Sequence, residues 1–370
     1  MVRKPTKLDL AQQKAEKAVN KTNIKIEELG DHTEGLYEAL KGVQLLFDRI
    51  RDIPDENRIK YEELKKTQLD WKQQAENIAL EYKKAEAKVA VKGTAGLGAG
   101  VAVVSMGPTV AMGIATTFGV ASTGTAISTL SGAAATNAAL AWLGGGALAV
   151  GGGGMAVGSS FLALAGPVGW AIAGVSLLTS GLFMLKSRKE KQRIEDIYIL
   201  ICKRDTKSYE LAIVELNERI DRIRDETSKL KLASLKIASF GLDYSQMTEA
   251  QQYELGSYVN LMQASTMLLV NPILGLQPKY TENHFELLCD SESNSMYREK
   301  YKKYKDMIIS LCSLLYKINL EKDDKKLLAK SWRKNEEFLK SIDMSKEMFD
   351  ARALLLVEMA LEHRYSISSY

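Results

Sequence analysis

Residues 93–185 read GTAGLGAGVAVVSMGPTVAMGIATTFGVASTGTAISTLSGAAATNAALAWLGGGALAVGGGGMAVGSSFLALAGPVGWAIAGVSLLTSGLFML. Over these 93 residues there is no Asp, Glu, Lys, Arg or His, and the stretch holds 21 of the 27 glycines. Charged residues make up 26% of the whole chain, so a gap this long marks a change of physical environment. Helices in water need a wet face, and none is written here. The segment is expected in a membrane or membrane-like environment; the alternative is the buried core of a soluble bundle.

The stretch could supply two long limbs or four spans of about twenty residues. Ala95–Thr117 and Ser160–Leu182 are the best individual spans. Between them, Ser131–Gly158 carries Asn137 and the runs Gly144–Gly146 and Gly151–Gly154, which suit a turn or a broken helix. Gly96/Gly100 and Gly154/Gly158 have GxxxG spacing, which lets helices approach closely in lipid, although so many glycines also produce it by chance. The residues expected to enter the bilayer include Gly96, Gly100, Pro108, Trp142, Gly154, Gly158, Pro167 and Trp170. Trp142 and Trp170 suit a lipid–water interface or a buried packing role alike. Large apolar side chains contribute only about 0.3–0.6 kcal/mol each at a span's centre. A segment diluted with Gly, Ala, Ser and Thr therefore inserts marginally, and a soluble form that inserts conditionally is physically reasonable.

Both flanks are basic: Lys83, Lys84, Lys88 and Lys92 lead in, and Lys186, Arg188, Lys189, Lys191 and Arg193 lead out. Positive flanks prefer the cytoplasmic side, which puts both soluble regions there and implies an even number of crossings, two or four. Lys88, Lys92, Lys186, Arg188 and Lys189 are the expected headgroup contacts.

Outside the segment the chain reads as helix. In residues 1–92, Leu36, Leu40, Val43, Phe47 and Ile50 recur at three- and four-residue steps. Ile53-Pro54-Asp55 breaks the run, with Asp55 as the expected cap of a second helix. That helix carries Leu64, Trp71, Ile78 and Ala85 seven apart, with Gln68, Ala75, Tyr82 and Val89 between them. The seam fits a coiled coil or an ordinary bundle helix, and Gln68 blemishes it. Its expected partner is the long helix of residues 186–245, where Ile194, Ile197, Ile201, Leu211, Val214, Leu216, Ile220, Ile223, Leu230 and Ile237 recur. Residues 246–370 are expected to form a C-terminal helical bundle: Thr248 to about Leu269, then an irregular stretch over Ile273–Ser293, then helices near Ser295–Ile318, Asp323–Ile342 and Lys346–His363. The predicted fold is all-α: an elongated bundle or coiled-coil stalk flanking a Gly/Ala-rich hydrophobic hairpin.

The formal net charge of +4 is too small to argue for nucleic acid. Cys202, Cys289 and Cys312 have no CxxC spacing, and His32, His284 and His363 form no helical metal pair, so no metal, cofactor or disulfide framework is expected. No GxxxxGK[ST] loop occurs. His284 and Cys289 are near in sequence without making a nucleophile–base case, and no small-molecule substrate or enzymatic role is inferred. Met1–Leu10 has no apolar run behind its basic residues, so no cleavable signal is read there. Arg298-Glu-Lys-Tyr-Lys-Lys-Tyr-Lys-Asp interleaves aromatics with cations, as a headgroup patch or a solvated helix face would.

The order of parts resembles the cytolysin A-type α-helical pore-forming toxins, including the multi-component enterotoxins. The likeness covers the layout of most of the chain and carries no diagnostic motif. It implies a tongue at Gly93–Leu185 that inserts while protomers, or related helical subunits, assemble into an oligomer. The tongue is long for that family and lacks a preceding signal, departures that favour an intracellular membrane-resident protein. The stretch from Gly132 through Gly146, followed by Gly151 to Gly158, also resembles a glycine/alanine hairpin of uncharacterised bacterial proteins, which implies a bacterial origin and a membrane role. The expected function is perforation or remodelling of a bilayer; the alternative is a constitutive membrane anchor whose cytosolic bundle binds a partner.

Overall fold

The computed structural model describes residues 4–92, 187–271, 273–276, 279–280, 282–342 and 344–367. Residues 93–185, expected to form the hydrophobic hairpin, lie outside them. The described residues are almost wholly helical, and the one β-type pairing among them is an isolated parallel bridge between Arg51 and Asp243. The fold is all-α.

Helix α1 spans Lys7–Phe47. Thr6 starts it with a capping box: its hydroxyl accepts from the Asp9 amide at 3.1 Å, and the Asp9 carboxylate accepts from the Thr6 amide at 2.7 Å. Two amides that no helical carbonyl can reach are thereby satisfied. The face Leu36, Leu40, Val43, Phe47 and Ile50 is buried. The helix stops before Pro54, and Asp52 takes a positive φ of 60° in the connection. Helix α2, Asp55–Lys92, then begins. Asp55 is not its cap: the Pro54 carbonyl accepts from Asn57 and Arg58, both at 3.1 Å, and places Asp55 inside the first turn, paired with Arg58.

Helix α3, Arg188–Ser239, has 52 residues and is about 78 Å long. It runs parallel to α1. Lys14 pairs with Glu210 at one level, Gly42 faces Ser234 at another, and Arg51 exchanges backbone hydrogen bonds with Leu242 and Tyr244 beyond the helix ends. This corrects the expected pairing of α2 with α3. Ile26, Leu29, Leu36, Leu40 and Val43 of α1 share one core with Leu216, Ile220, Ile223 and Leu230 of α3, which α2 answers chiefly with Tyr61, Gln68 and Trp71. Leu211 and Val214, counted into the α3 pattern, are 69% and 66% exposed. They face away from the stripe Tyr209, Ala212, Leu216 and Ile220 that meets the core.

Gly241, at φ 88°, turns the chain after α3, and Thr248 caps α4, Glu249–Val270, with a second capping box. Helix α4 runs antiparallel to α3: Lys236 meets Glu254 at 2.5 Å, Glu226 meets Ser265 at 3.1 Å, and Arg219 donates to the Leu268 and Asn271 carbonyls at 2.8 Å each. Helix α2 runs back along α1, with the Tyr61 hydroxyl donating to Asp48 at 2.6 Å and the Tyr37 and Trp71 rings 5.8 Å apart. The result is a four-helix bundle with α1 and α3 pointing one way and α2 and α4 the other. Gln68 lies at its centre, 2% exposed. It accepts from the Gln44 side chain of α1 and donates to Thr266 of α4 at 2.7 Å.

The chain then forms α5 (Glu282–Ser291), α6 (Ser295–Lys303), α7 (Lys305–Leu315), α8 (Lys322–Trp332), α9 (Glu336–Ser341) and α10 (Ala351–Ile367). These six surround the first part of α3 in a second core with Ile194, Ile197, Tyr198, Ile201 and Cys202. The stretch 246–370, read as one bundle, thus divides, since α4 belongs to the first core. The supposedly irregular stretch holds α5, and the helix expected from Lys346 starts at Ala351 because Asp350 caps it, accepting from the Arg352 amide at 2.8 Å. The two cores meet at Arg204 and Asp205. Arg204 donates to Asp205 at 2.8 Å and to the Leu314 and Tyr316 carbonyls at 2.8 and 2.6 Å. Burial holds the Asp205 carboxyl above its usual range despite that partner.

Gly275 lies where the turn after α4 crosses α3. A Cβ there would sit 2.9 Å from the Ala212 backbone, and Glu215 holds the turn by accepting from the Leu274 and Gly275 amides at 2.7 and 3.0 Å. Gly275→Ala should destabilise by about 1–3 kcal/mol, as overpacking does. Gly35→Ala and Gly256→Ala, in helix interiors with nothing within 4 Å of the added Cβ, should stabilise by about 0.5–1 kcal/mol. Thermal unfolding of the three variants checks both signs, and a stable Gly275→Ala protein would refute the close approach.

Candidate functional site: the base of the hydrophobic segment

The uncharged segment is tied to the fold at Lys92, the last residue of α2, and Ser187, which caps α3. Helix α2 runs back alongside α1 in the direction from which α3 begins. At its start α3 is clamped to α8. The Arg193 guanidinium forks onto the Asp324 carboxylate at 2.6 and 2.7 Å, and Lys330 reaches Glu190 at 2.9 Å. Asp324 is nearly buried and also accepts from the Glu321 amide at 3.0 Å. The Arg193 hydrogen bonds hold its carboxyl below the usual range. Bidentate pairs of this kind fix orientation as well as charge, so the first turns of α3 leave the fold in a set direction.

Of the expected headgroup contacts, Arg188 and Lys189 are exposed in the first turn of α3. Lys88 and Lys92 lie on α2, with side chains outside what the structure describes. Lys186 and the expected bilayer residues Gly96, Gly100, Pro108, Trp142, Gly154, Gly158, Pro167 and Trp170 lie outside the described residues. Among those described, one stretch is long and apolar enough to cross a membrane by length and composition: Glu249–Leu276, 28 residues at a mean hydropathy of 1.3. A core helix passes the same test, and 53% of its most apolar window is buried here.

The structure brings together two residues that are isolated in the sequence. His284 of α5 and His363 of α10 come close enough for their charges to interact, with Arg364 beside them. The His363 ring nitrogen Nε2 lies 2.8 Å from the Ser291 hydroxyl. Burial, then the charges of Arg364 and His363, push the His284 imidazole down to about 4. Burial also raises the Cys289 thiol. Among the described residues no group of three His, Cys, Asp or Glu side chains is placed to hold a metal ion. An open polar groove of about 400 Å³ lies at the other end of the bundle, lined by Asn57, Tyr244, Gln252 and Asn260 among others. Sequence reasoning missed the Arg193–Asp324 clamp, because nothing in the spacing of two distant charges marks them as partners.

Comparison with known protein families, characterised proteins and solved structures finds no match for the chain.

A base whose folded pKa is depressed stabilises the fold while it is neutral. The contribution of His284 is therefore complete above its ordinary value of 6.5 and is lost as the pH falls from there to about 4. Protection factors of the α5 and α10 amides, referred to intrinsic exchange at each pH, should fall over that interval, and His284→Leu should flatten the dependence. An equal loss of protection in the variant would exclude His284 as its source.

Proposed function

We propose that this chain is a membrane-inserting helical protein that perforates or remodels a bilayer as an oligomer. Residues 93–185 enter the lipid and the helical regions on either side remain together on one face. One observation carries the reading: 93 consecutive residues without a charge, joined at both ends to long helices. The basic flanks agree, since Arg188 and Lys189 stand exposed where the segment joins. Cations near an anionic surface contribute on the order of 1 kcal/mol each. An even number of crossings follows from both flanks lying on one side. The layout shared with the cytolysin A-type toxins supports perforation over simple tethering, and no reaction is assigned to the chain.

Alkaline-carbonate extraction of membranes from cells expressing the intact protein should leave it in the pellet. Joint substitution Ala115→Asp and Ala173→Asp should release it while the circular dichroism of the outer helices is kept, because a charge at a span's centre costs about 2.5–3.5 kcal/mol. Membrane binding that survives both charges would defeat the reading. Dye release from vesicles then separates perforation from a constitutive anchor: leakage supports the first, and firm insertion without leakage supports the second.

A further inference from the structure

The charged shell of the second core is largely neutralised in pairs: Lys325 with Glu358, Lys330 with Glu190, Arg193 with Asp324, and Arg352 with Asp350. Helix α6 departs from that pattern. Arg298, Lys300, Lys302 and Lys303 are all exposed on its nine residues. None of the four is paired with a carboxylate among the described residues. Arg298 donates to the Glu292 carbonyl, a neutral acceptor, at 2.6 Å, and Glu299 is the one acid on the helix. Aromatic rings lie under the lysines. Lys300 Nζ is 5.4 Å from the Tyr297 ring centre, Lys303 Nζ is 5.4 Å from that of Tyr304, and Lys305 of α7 is 5.9 Å from that of Phe285. Such contacts hold the aliphatic stems against the surface while the ammonium groups stay in water. Tyr301, buried in the second core, anchors the helix, so the cations stand on a fixed platform.

We propose that α6 is a docking face for an anionic bilayer surface. The proposal rests on the membrane reading above. Charge complementarity supplies the attraction, and the tyrosine-and-lysine composition suits the headgroup layer, where amphipathic rings sit beside cations. Nucleic acid fits less well, because the chain as a whole carries only +4 and the patch is a single short helix rather than a stripe. The position of Lys300, Lys302 and Lys303 in the last turn also complements the helix dipole. That role stabilises α6 but creates no preference among lipids.

The test uses the full chain and co-sedimentation with two kinds of vesicle, phosphatidylcholine alone and phosphatidylcholine doped with phosphatidylserine. The parent should prefer the anionic vesicles at low salt and lose that preference at high salt. The triple variant K300Q/K302Q/K303Q should bind them about a hundredfold more weakly, about fivefold for each lysine, with unchanged helicity and unchanged binding to neutral vesicles. Equal binding of the parent to both vesicles would overturn this inference and leave the membrane reading standing; binding to neither would overturn both. Equal loss of the variant from both vesicles would mark a folding effect, and tighter capture of the parent by a short RNA duplex than by anionic vesicles would reassign the patch. Either result overturns the proposal.

Discussion

The parallel seam of α1 against α3 constrains everything else in this fold. Two adjacent helices that point the same way cannot be joined by a short turn; the chain must first travel back the length of the bundle. Helix α2 makes that return, and the uncharged segment follows it in the sequence before α3 begins. The seam itself is ordinary hydrophobic packing, with Leu36, Leu40 and Val43 sharing a core with Ile220, Ile223 and Leu230. Burying each such side chain contributes about 1.5–3 kcal/mol. Its consequence is topological: α3 can take its place beside α1 only after the chain has made the return through α2.

Polar groups inside the apolar seams set register where packing alone would not. Gln68 bonds α1 on one side and α4 on the other, and shifting α2 by one turn would strand a buried amide at a cost of about 1–3 kcal/mol. Arg204 and Asp205 act similarly between the two cores. Asp205 is fully buried with one carboxylate oxygen unpartnered among the described residues, as is the nearby Tyr209 hydroxyl. Removing one member of a buried ion pair costs about 3–5 kcal/mol because the other is left unmatched, so this joint is specific more than it is strong.

Much of the helical architecture was legible in the residues themselves. Thr248 with Gln251 and the Gly241 turn mark helix ends through local chemistry, which travels with the sequence. Partner choice did not travel with it. Helices α1, α2, α3 and α4 each present apolar residues, and only three-dimensional fit decides that α3 lies along α1 while α2 lies on α4. Gln68 looked like a defect in a coiled-coil seam because its partners sit on other helices. At the base of the segment, the exposed Arg188 and Lys189 were foreseeable from a charge run. Their neighbour Arg193 was read as one more such cation, although it spends its charge on Asp324. His284 and His363 looked isolated because facing helices, rather than spacing, unite them.

The opposed directions of α2 and α3 also have a mechanical meaning. Traction applied at Lys92 is directed along the axis of α2, so Tyr61, Gln68 and Trp71 bear it together, in shear. Traction applied at Ser187 meets a helix threaded through both cores, with Arg193, Arg204 and Arg219 each anchored to different elements. Among the described residues, the contacts of α2 lie in the first core alone, whereas those of α3 span both cores.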